Sequence, residues 1–297
     1  YVINALAGDD DIEIAPSTAP GTVLVPTDSF RVLGGGPGAG SDTLTLTGVT
    51  GTVENVIVRQ AAQPDDQVVE GLGADIDATG IELIRFTGVA TDPDTLTVQL
   101  GAGDNTARVQ AGQAGVWDQV TSDSLPQIDF RGLDAFTVDA TTNGGSDVVT
   151  FKTWNLLGAS AANYRLTGGG TDTLVIEGTD GAGVGNDRFF VTDPDGAGTT
   201  SVRIEDTRGS NTTGVATNVV VTETSGGLGR LQINTLGGDD WVTVDASGAD
   251  GTISVPITFD GGSNSDLLRV TSDAASAIDQ DRKSVSEGKS VDLGGRR

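Results

Sequence analysis

The sequence predicts an all-β protein, and within that class a parallel β-helix or β-solenoid with about 25–26 residues per coil. Three observations support this prediction. The chain is rich in turn-forming residues and poor in helix-forming ones, a Gly-rich turn ending in Asp recurs along it, and the recurrences are spaced at a common interval. Together they indicate short strands that stack on one another.

The composition favours short strands joined by tight turns. The 297 residues include 44 Gly and 34 Asp but only eight Glu and three Lys. Val, Thr and Ile, which are plentiful, fit a pleated sheet, while Gly and Asp fit the turns between strands. Aromatic residues make up 4% of the chain, which is low for a sandwich or a barrel that fills its core with bulky side chains. Thin stacked coils need fewer of them.

The recurring motif is a glycine-rich turn that ends in Asp and leads into alternating apolar residues. It occurs as GAGSDTLTLTG from residue 38, GGSDVVTFKT from 144, GGGTDTLVIEG from 168, GVGNDRFFVTD from 183, LGGDDWVTVDA from 236 and GGSNSDLLRVT from 261. Asp147 and Asp172 are 25 residues apart, and Asp240 and Asp266 are 26 residues apart. This interval is typical of one coil of a three-sided solenoid.

A second marker is an acidic residue between apolar ones. Glu54, Glu82 and Asp134 are its members, and their spacings of 28 and 52 residues are close to one and two of the same interval. After the motif Asp, side chains alternate between two faces, so Leu174 and Ile176 share a face. A single coil of this kind cannot form a core, but stacked coils align their inward residues into one apolar column.

Residues 1–280 are predicted to form one repeat domain with two interruptions. The segment 15–29 holds three prolines and reads as a linker or a looped-out excursion. The segment 91–127 loses the Gly-Asp spacing and is predicted to be an irregular coil. Residues 281–297 carry two of the three lysines and resemble the in-frame translation of a sequencing adapter. We therefore interpret them as a non-native tail on a metagenomic fragment.

The motif around Asp266 also resembles a known metal-binding repeat. Gly261 to Arg269 fits G-G-x-G-x-D-x-U-x with Asn264 in place of the third glycine, and so resembles the RTX-type haemolysin repeats of secreted and surface bacterial proteins. The resemblance implies that loop carbonyls and Asp carboxylates bind calcium, which prefers hard oxygen ligands. The residues that it assigns to calcium are Asp42, Asp147, Asp172, Asp187, Asp240, Gly261, Gly262 and Asp266.

Two departures from the RTX pattern leave a structural interpretation open. The copies stand about 25 residues apart instead of in direct tandem. An isolated loop therefore supplies only half of a calcium site, unless loops that stack at one corner of the solenoid supply each other's second half. The copies that contain Asp147 and Asp172 are also one residue short. Glycine and aspartate are, in addition, what tight turns need, glycine for positive φ and aspartate for its own turn hydrogen bond.

Composition excludes several classes of function. The chain has no Cys and no His, and its formal charge is −25. Thiolate and imidazole metal sites and Ser-His-Asp or Cys-His catalysis are therefore excluded. Nucleic acid and anionic lipid are unfavourable partners, because both require basic residues to neutralise phosphates. No apolar run predicts membrane insertion. Calcium ions, glycans and cell-surface molecules remain as expected partners.

The sequence thus predicts a structural or adhesive repeat region of a large secreted or cell-surface bacterial protein, stabilised by calcium outside the cell. The alternative is a carbohydrate-active β-helix enzyme, a polysaccharide lyase or hydrolase. Fold analogy alone supports that alternative, so a non-enzymatic role is favoured. A groove lined by Arg85, Arg108 or Arg131 beside clustered Asp would favour the enzyme. An antiparallel sandwich or propeller module is the third hypothesis.

Overall fold

A computed structural model shows that the chain is all-β, as predicted. It describes residues 1–5, 8–15, 29–35, 42–63, 66–112, 116–141, 144–153, 156, 159, 164–168, 171–180, 186–192, 202–206, 217–223, 228–247, 253, 255–272 and 291–293. Within these residues there is no helix, and so no helix that could cross a membrane. The strands belong to two large mixed sheets of 13 and 11 strands.

The strands are short, mostly four to six residues, as alternating residues between Gly/Asp turns predict. They are β1 Val2–Asn4, β2 Asp11–Ile14, β3 Phe30–Leu33, β4 Thr43–Thr47, β5 Asn55–Gln60, β6 Asp66–Glu70, β7 Ile76–Thr79, β8 Leu83–Thr87, β9 Thr95–Gln99, β10 Thr106–Ala111, β11 Asp118–Ser122, β12 Gln127–Arg131, β13 Ala135–Asp139, β14 Val148–Lys152, β15 Tyr164–Gly168, β16 Thr173–Glu177, β17 Arg188–Thr192, β18 Val202–Asp206, β19 Thr217–Glu223, β20 Arg230–Asn234, β21 Trp241–Ala246, β22 Ile257–Asp260, β23 Leu267–Ser272 and β24 Val291–Leu293.

The chain passes back and forth between the two sheets. The 13-stranded sheet, called sheet A, has the order β1-β3-β7-β6-β5-β9-β13-β15-β19-β18-β17-β21-β23. The 11-stranded sheet, called sheet B, has the order β2-β4-β8-β12-β11-β10-β14-β16-β20-β22-β24. Outside three antiparallel triplets, each strand is followed by a strand of the other sheet. One pass through both sheets is called a repeat below.

Successive repeats pair in parallel, but their length is not uniform. Val148 pairs with Thr173 and Trp241 with Leu267, offsets of 25 and 26 residues that match the predicted interval. Thr43 pairs with Leu83, however, and Asn55 with Thr95, which are offsets of 40 residues. The longer repeats contain an antiparallel triplet of strands, so the interval found in the sequence describes only the repeats without one.

The triplets are β5-β6-β7 and β17-β18-β19 in sheet A and β10-β11-β12 in sheet B. The segment 91–127, predicted as an irregular coil, contains β9, β10 and β11. In the segment 15–29, predicted as a linker, residues 16–28 lie outside the described residues. Of the predicted tail 281–297, the structure describes only Val291–Leu293, which pairs antiparallel with β22.

The core lies between the two sheets. Along each strand, buried and partly exposed residues alternate, so one face of every sheet points inward. The inward side chains are mainly Val, Leu and Ile, and they form one continuous cluster. Near the middle of the stack, Phe130 and Phe136 face each other with ring centroids 4.2 Å apart, and Tyr164 packs beside Phe136. These three aromatic side chains are fully buried where the two sheets meet.

Candidate functional site

The six predicted aspartates all occupy the same place in the fold, the last loop position before a strand. Those that precede strands of sheet B are Asp42, Asp147 and Asp172, and those that precede strands of sheet A are Asp187, Asp240 and Asp266. Five of the six are buried, with at most 4% of their surface exposed, and Asp266 is half-buried. The predicted site is therefore divided between two edges of the fold, and at the edge of sheet B Asp42 lies apart from Asp147 and Asp172.

A glycine at the end of the preceding strand makes room for the carboxylate. The loop that ends in Asp187 begins at Gly178, where an added Cβ would overlap Oδ2 of Asp187. With no side chain there, the N–H of the next residue, Thr179, donates to Oδ2 of Asp187 at 2.8 Å. In the last repeat, a Cβ at Gly261 would overlap the carboxylate of Asp266 in the same way. The Gly…Asp spacing in the sequence is thus the signature of a loop closed by its own aspartate.

The other carboxylate oxygen joins neighbouring repeats. In sheet B the N–H of Asp147 donates to Oδ1 of Asp172 at 2.9 Å. In sheet A the N–H of Asp187 donates to Oδ1 of Asp240 at 2.7 Å, and the N–H of Asp240 to Oδ1 of Asp266 at 3.2 Å. Each N–H therefore donates to the carboxylate of the following repeat. We call these bonds the forward ladder.

The forward ladder also runs through residues that the Gly-Asp motif did not identify. The N–H of Asp10 donates to Oδ1 of Asp42 at 2.9 Å, and the N–H of Asp42 donates to Oε2 of Glu82 at 2.7 Å. The N–H of Asn105 donates to Oδ1 of Asp147 at 2.7 Å. These residues share one signal with the motif aspartates, a polar side chain directly before an alternating strand. Asp42 is not stacked on Asp147, because the triplet β10-β11-β12 lies between their strands.

A reverse ladder uses the residue immediately before each aspartate. The N–H of Asp239 donates to Oδ1 of Asn186 at 3.0 Å, and the N–H of Ser265 donates to Oδ1 of Asp239 at 3.1 Å. In sheet B the N–H of Ser146 donates to Oδ1 of Asp104 at 2.8 Å. Here the carboxylate or amide belongs to the earlier repeat and the N–H to the later one. Two adjacent loop residues thus bond neighbouring repeats in opposite directions.

The single series predicted for Glu54, Glu82 and Asp134 is wrong. The N–H of Glu54 donates to Oδ1 of Asp94 at 3.0 Å at the edge of sheet A, whereas Glu82 bonds Asp42 at the edge of sheet B. Asp134 follows Asp94 in sheet A, since its N–H donates to the Asp94 carbonyl at 2.8 Å. The triplets lengthen the repeats and by coincidence produced spacings close to multiples of 26.

Stacking of buried acids raises several pKa values. Burial, and then the neighbouring Asp187 and Asp266 carboxylates, raise the pKa of Asp240 to about 6, although hydrogen bonds oppose this rise. Burial also raises the pKa values of Asp147 and Asp266. The largest shift is at Glu54, whose pKa rises to about 7 because of burial and the adjoining Asp94 carboxyl group. Burial in the ladder therefore disfavours a carboxylate charge, and hydrogen bonds to that carboxylate oppose this effect.

The predicted calcium ligands fit a metal site only in part. Most ladder oxygens accept backbone N–H groups, and the described residues contain no group of three or more acidic side chains placed to hold one ion. Gly262 has φ of +72° and lies against the Leu236 backbone of the previous repeat, so its conformation serves close packing. The oxygen with free capacity is Oδ2 of Asp240, which is buried and has no hydrogen-bond partner.

The arginines considered for a carbohydrate groove lie together on the outward face of sheet B. Arg85 is on β8, Arg131 on β12 and Arg108 on β10, and all three are partly exposed. Arg85 contacts Asp129 at 3.5 Å, and Arg108 forms a two-pronged bond to Glu177 at 2.6 and 2.9 Å. The face is polar and charged, in contrast to the buried ladders.

No known protein-family model, curated protein or solved structure matches this chain. The ladders and the outward face of sheet B are therefore interpreted from their own geometry.

Proposed function

We propose that this chain is a structural repeat module of a large secreted or cell-surface bacterial protein, in which each repeat is one coil of a β-solenoid with two sheets. The observation that carries the proposal is the pair of forward and reverse ladders. Both ladders join neighbouring repeats through main-chain N–H groups and side-chain oxygens, and the forward ladder is buried or partly buried whereas the reverse ladder is exposed. A stack whose units bond only to their neighbours suits a rigid spacer.

The two sheets support the same proposal. Parallel pairing repeats along both sheets, so every added repeat extends the apolar core and both hydrogen-bonded edges at once. The formal charge of −25 keeps the surface hydrated and opposes association between copies.

Substitution of Asp187, whose carboxylate closes its own loop, tests the structural proposal. Asp187 is fully buried, and its two oxygens accept the N–H and the hydroxyl of Thr179. Asp187→Asn places an amide N–H₂ against one of these donors, so we expect it to lower the free energy of unfolding by about 1–3 kcal/mol. The matched control is Asp77→Asn on the exposed face of β7. Equal melting temperatures for the two variants would contradict the proposal.

Calcium stabilisation stays a prediction, and Asp240 is the residue to test. Its unpartnered Oδ2 lies beside the carboxylates of Asp187 and Asp266, and a divalent cation would relieve their repulsion. Melting curves of the full chain in calcium, with magnesium as the control, should show a rise specific to calcium that Asp240→Asn abolishes. Equal curves in both ions would contradict calcium binding but not the hydrogen-bonded ladder, which needs no metal.

Enzyme activity on carbohydrates also stays a prediction. Glycoside hydrolysis needs two carboxyl groups facing a sugar. Among the described residues, the carboxylates beside the arginines of sheet B are Asp129 and Glu177, and both are engaged by Arg85, Arg108 or Gln127. Carboxylates that are already paired in this way are poorly suited to transfer protons, so the geometry favours a binding surface over a catalytic one.

A further inference from the structure

The structure assigns to the outward face of sheet B a binding surface for an acidic polysaccharide, with Arg131, stacked on Trp117, as the residue that binds its carboxylate. This inference goes beyond the structural role and requires only that the face be accessible. Four cations lie on that face within the five adjacent strands β8-β12-β11-β10-β14, and the set is called the basic patch: Arg85, Arg108, Arg131 and Lys152.

The basic patch is positive on a strongly negative protein. Its four cations are accompanied by two carboxylates, Asp129 and Glu177, which leaves two positive charges in excess. The chain as a whole carries −25. The local excess of positive charge attracts anionic groups. The negative charge on the rest of the protein repels densely charged polyanions such as nucleic acid. A polymer with about one carboxylate per sugar satisfies both conditions.

Arg131 is the cation of the patch that is free to receive such a carboxylate. Its guanidinium lies 4.2 Å from the centre of the Trp117 ring, and its Nε contacts the hydroxyl of Thr87 at 3.3 Å. Among the described residues, no carboxylate forms an ion pair with it. Stacking on Trp117 holds the planar group in place. Its two outer nitrogens can then bind a carboxylate in a two-pronged arrangement.

The neighbouring side chains suit sugar hydroxyls. Asp129 on β12 pairs with Gln119 on β11, and Gln119 pairs with Gln110 on β10. Adjacent strands are about 4.8 Å apart, so the polar side chains in this row follow one another at that distance. This distance is comparable with the length of one sugar ring. The backbone groups of these inner strands are bonded to neighbouring strands, so recognition must come from side chains. Planar amide, guanidinium and indole groups on an open sheet face fit an extended polysaccharide.

Binding of the full chain to polygalacturonate tests the inference, with neutral dextran as the control polymer. We expect binding to polygalacturonate and none to dextran, measured by calorimetry in low and physiological salt. Arg131→Gln should weaken binding about tenfold, because one charge-assisted two-pronged bond is lost. Arg165→Gln is the matched control, since Arg165 is exposed on β15 of the opposite sheet, and it should bind like the unmodified chain.

Arg131→Lys is a second variant that keeps the charge but not the planar fork, and it should bind less tightly than the unmodified chain and more tightly than Arg131→Gln. Melting curves of all variants report folding separately. No binding to polygalacturonate, equal binding to dextran, or equal losses in Arg131→Gln and Arg165→Gln would overturn the inference. None of these results bears on the ladders, whose test is thermal stability, so the two proposals fail independently.

Discussion

Glu54, which lies beside Asp94, has the most strongly raised pKa among the described acids. Glu54 is 3% exposed, and Oε2 of Glu54 and Oδ2 of Asp94 converge on Gly48, where an added Cβ would lie 2.9 and 3.1 Å from them. Asp94 accepts the N–H groups of Glu54 and Val89 at 3.0 and 2.7 Å. Glu54 Oε2 is buried and has no hydrogen-bond partner. Burial, and then the adjoining Asp94 carboxyl group, raise the pKa of Glu54 to about 7.

This pair predicts that the protein is more stable in mild acid than at neutral pH. The pKa of Glu54 is raised to about 7 from 4.5, so between these values the folded state holds a proton that the unfolded state releases. The stabilisation is full below pH 4.5 and is lost as pH rises through 7. Asp240, with its pKa raised to about 6, acts in the same direction. Melting temperatures measured from pH 5 to pH 8 should fall by several degrees.

The matched variant is Glu54→Gln, which supplies a permanent N–H donor to Asp94 and does not titrate. It should reduce the slope of melting temperature against pH and should stabilise the protein most at pH 8. Glu177, whose pKa is lowered by Arg108, acts below this window, because its stabilisation is lost only as the pH falls toward its lowered pKa. A slope unchanged by Glu54→Gln would contradict the raised pKa of Glu54 as the cause of the pH dependence.

At the scale of elements, the loops were the most predictable part of the fold. A glycine, a short polar run and an aspartate before alternating apolar residues predicted both the turn and the start of the strand, as at Asp172 and β16. The pattern is local, because Gly168 and Asp172 make room for each other within one loop. Residues 94–98, DTLTV, show the same pattern of an aspartate before alternating apolar residues. This pattern identifies Asp94 even though no glycine-rich turn precedes it.

The antiparallel triplets could not be predicted from the repeat interval. A hairpin such as β10-β11 has the same alternating pattern as a strand that crosses to the other sheet, and its partner is fixed by long-range pairing. Residues 91–127 therefore read as irregular although they contain three regular strands. The metal prediction was incomplete for a related reason. The sequence shows which loops contain Asp, but only the parallel register shows that Asp147 stacks on Asp172 and not on Asp42.

At the scale of the whole molecule, the ladders explain how an acidic chain can bury so many carboxyl groups. In the forward ladder, the Oδ1 atoms of the stacked aspartates accept hydrogen bonds from main-chain N–H groups. Such bonds stabilise a carboxylate charge where solvent is excluded. Two of the acids with an unpaired buried oxygen, Glu54 and Asp240, have raised pKa values. Hydrogen bonds to main-chain N–H groups thus oppose the repulsion between stacked acids, and the raised pKa values show where this compensation is weakest.

The most direct test of the ladder is residue-resolved hydrogen exchange of the unmodified chain and of Asp240→Ala. The N–H of Asp187 is buried and donates to Asp240 across 53 residues of sequence. We predict that this amide exchanges as slowly as the amides of the neighbouring strands, and that Asp240→Ala accelerates its exchange far more than that of Asp147 in sheet B. Fast exchange at Asp187 in the unmodified chain, or exchange unaffected by Asp240→Ala, would contradict the ladder.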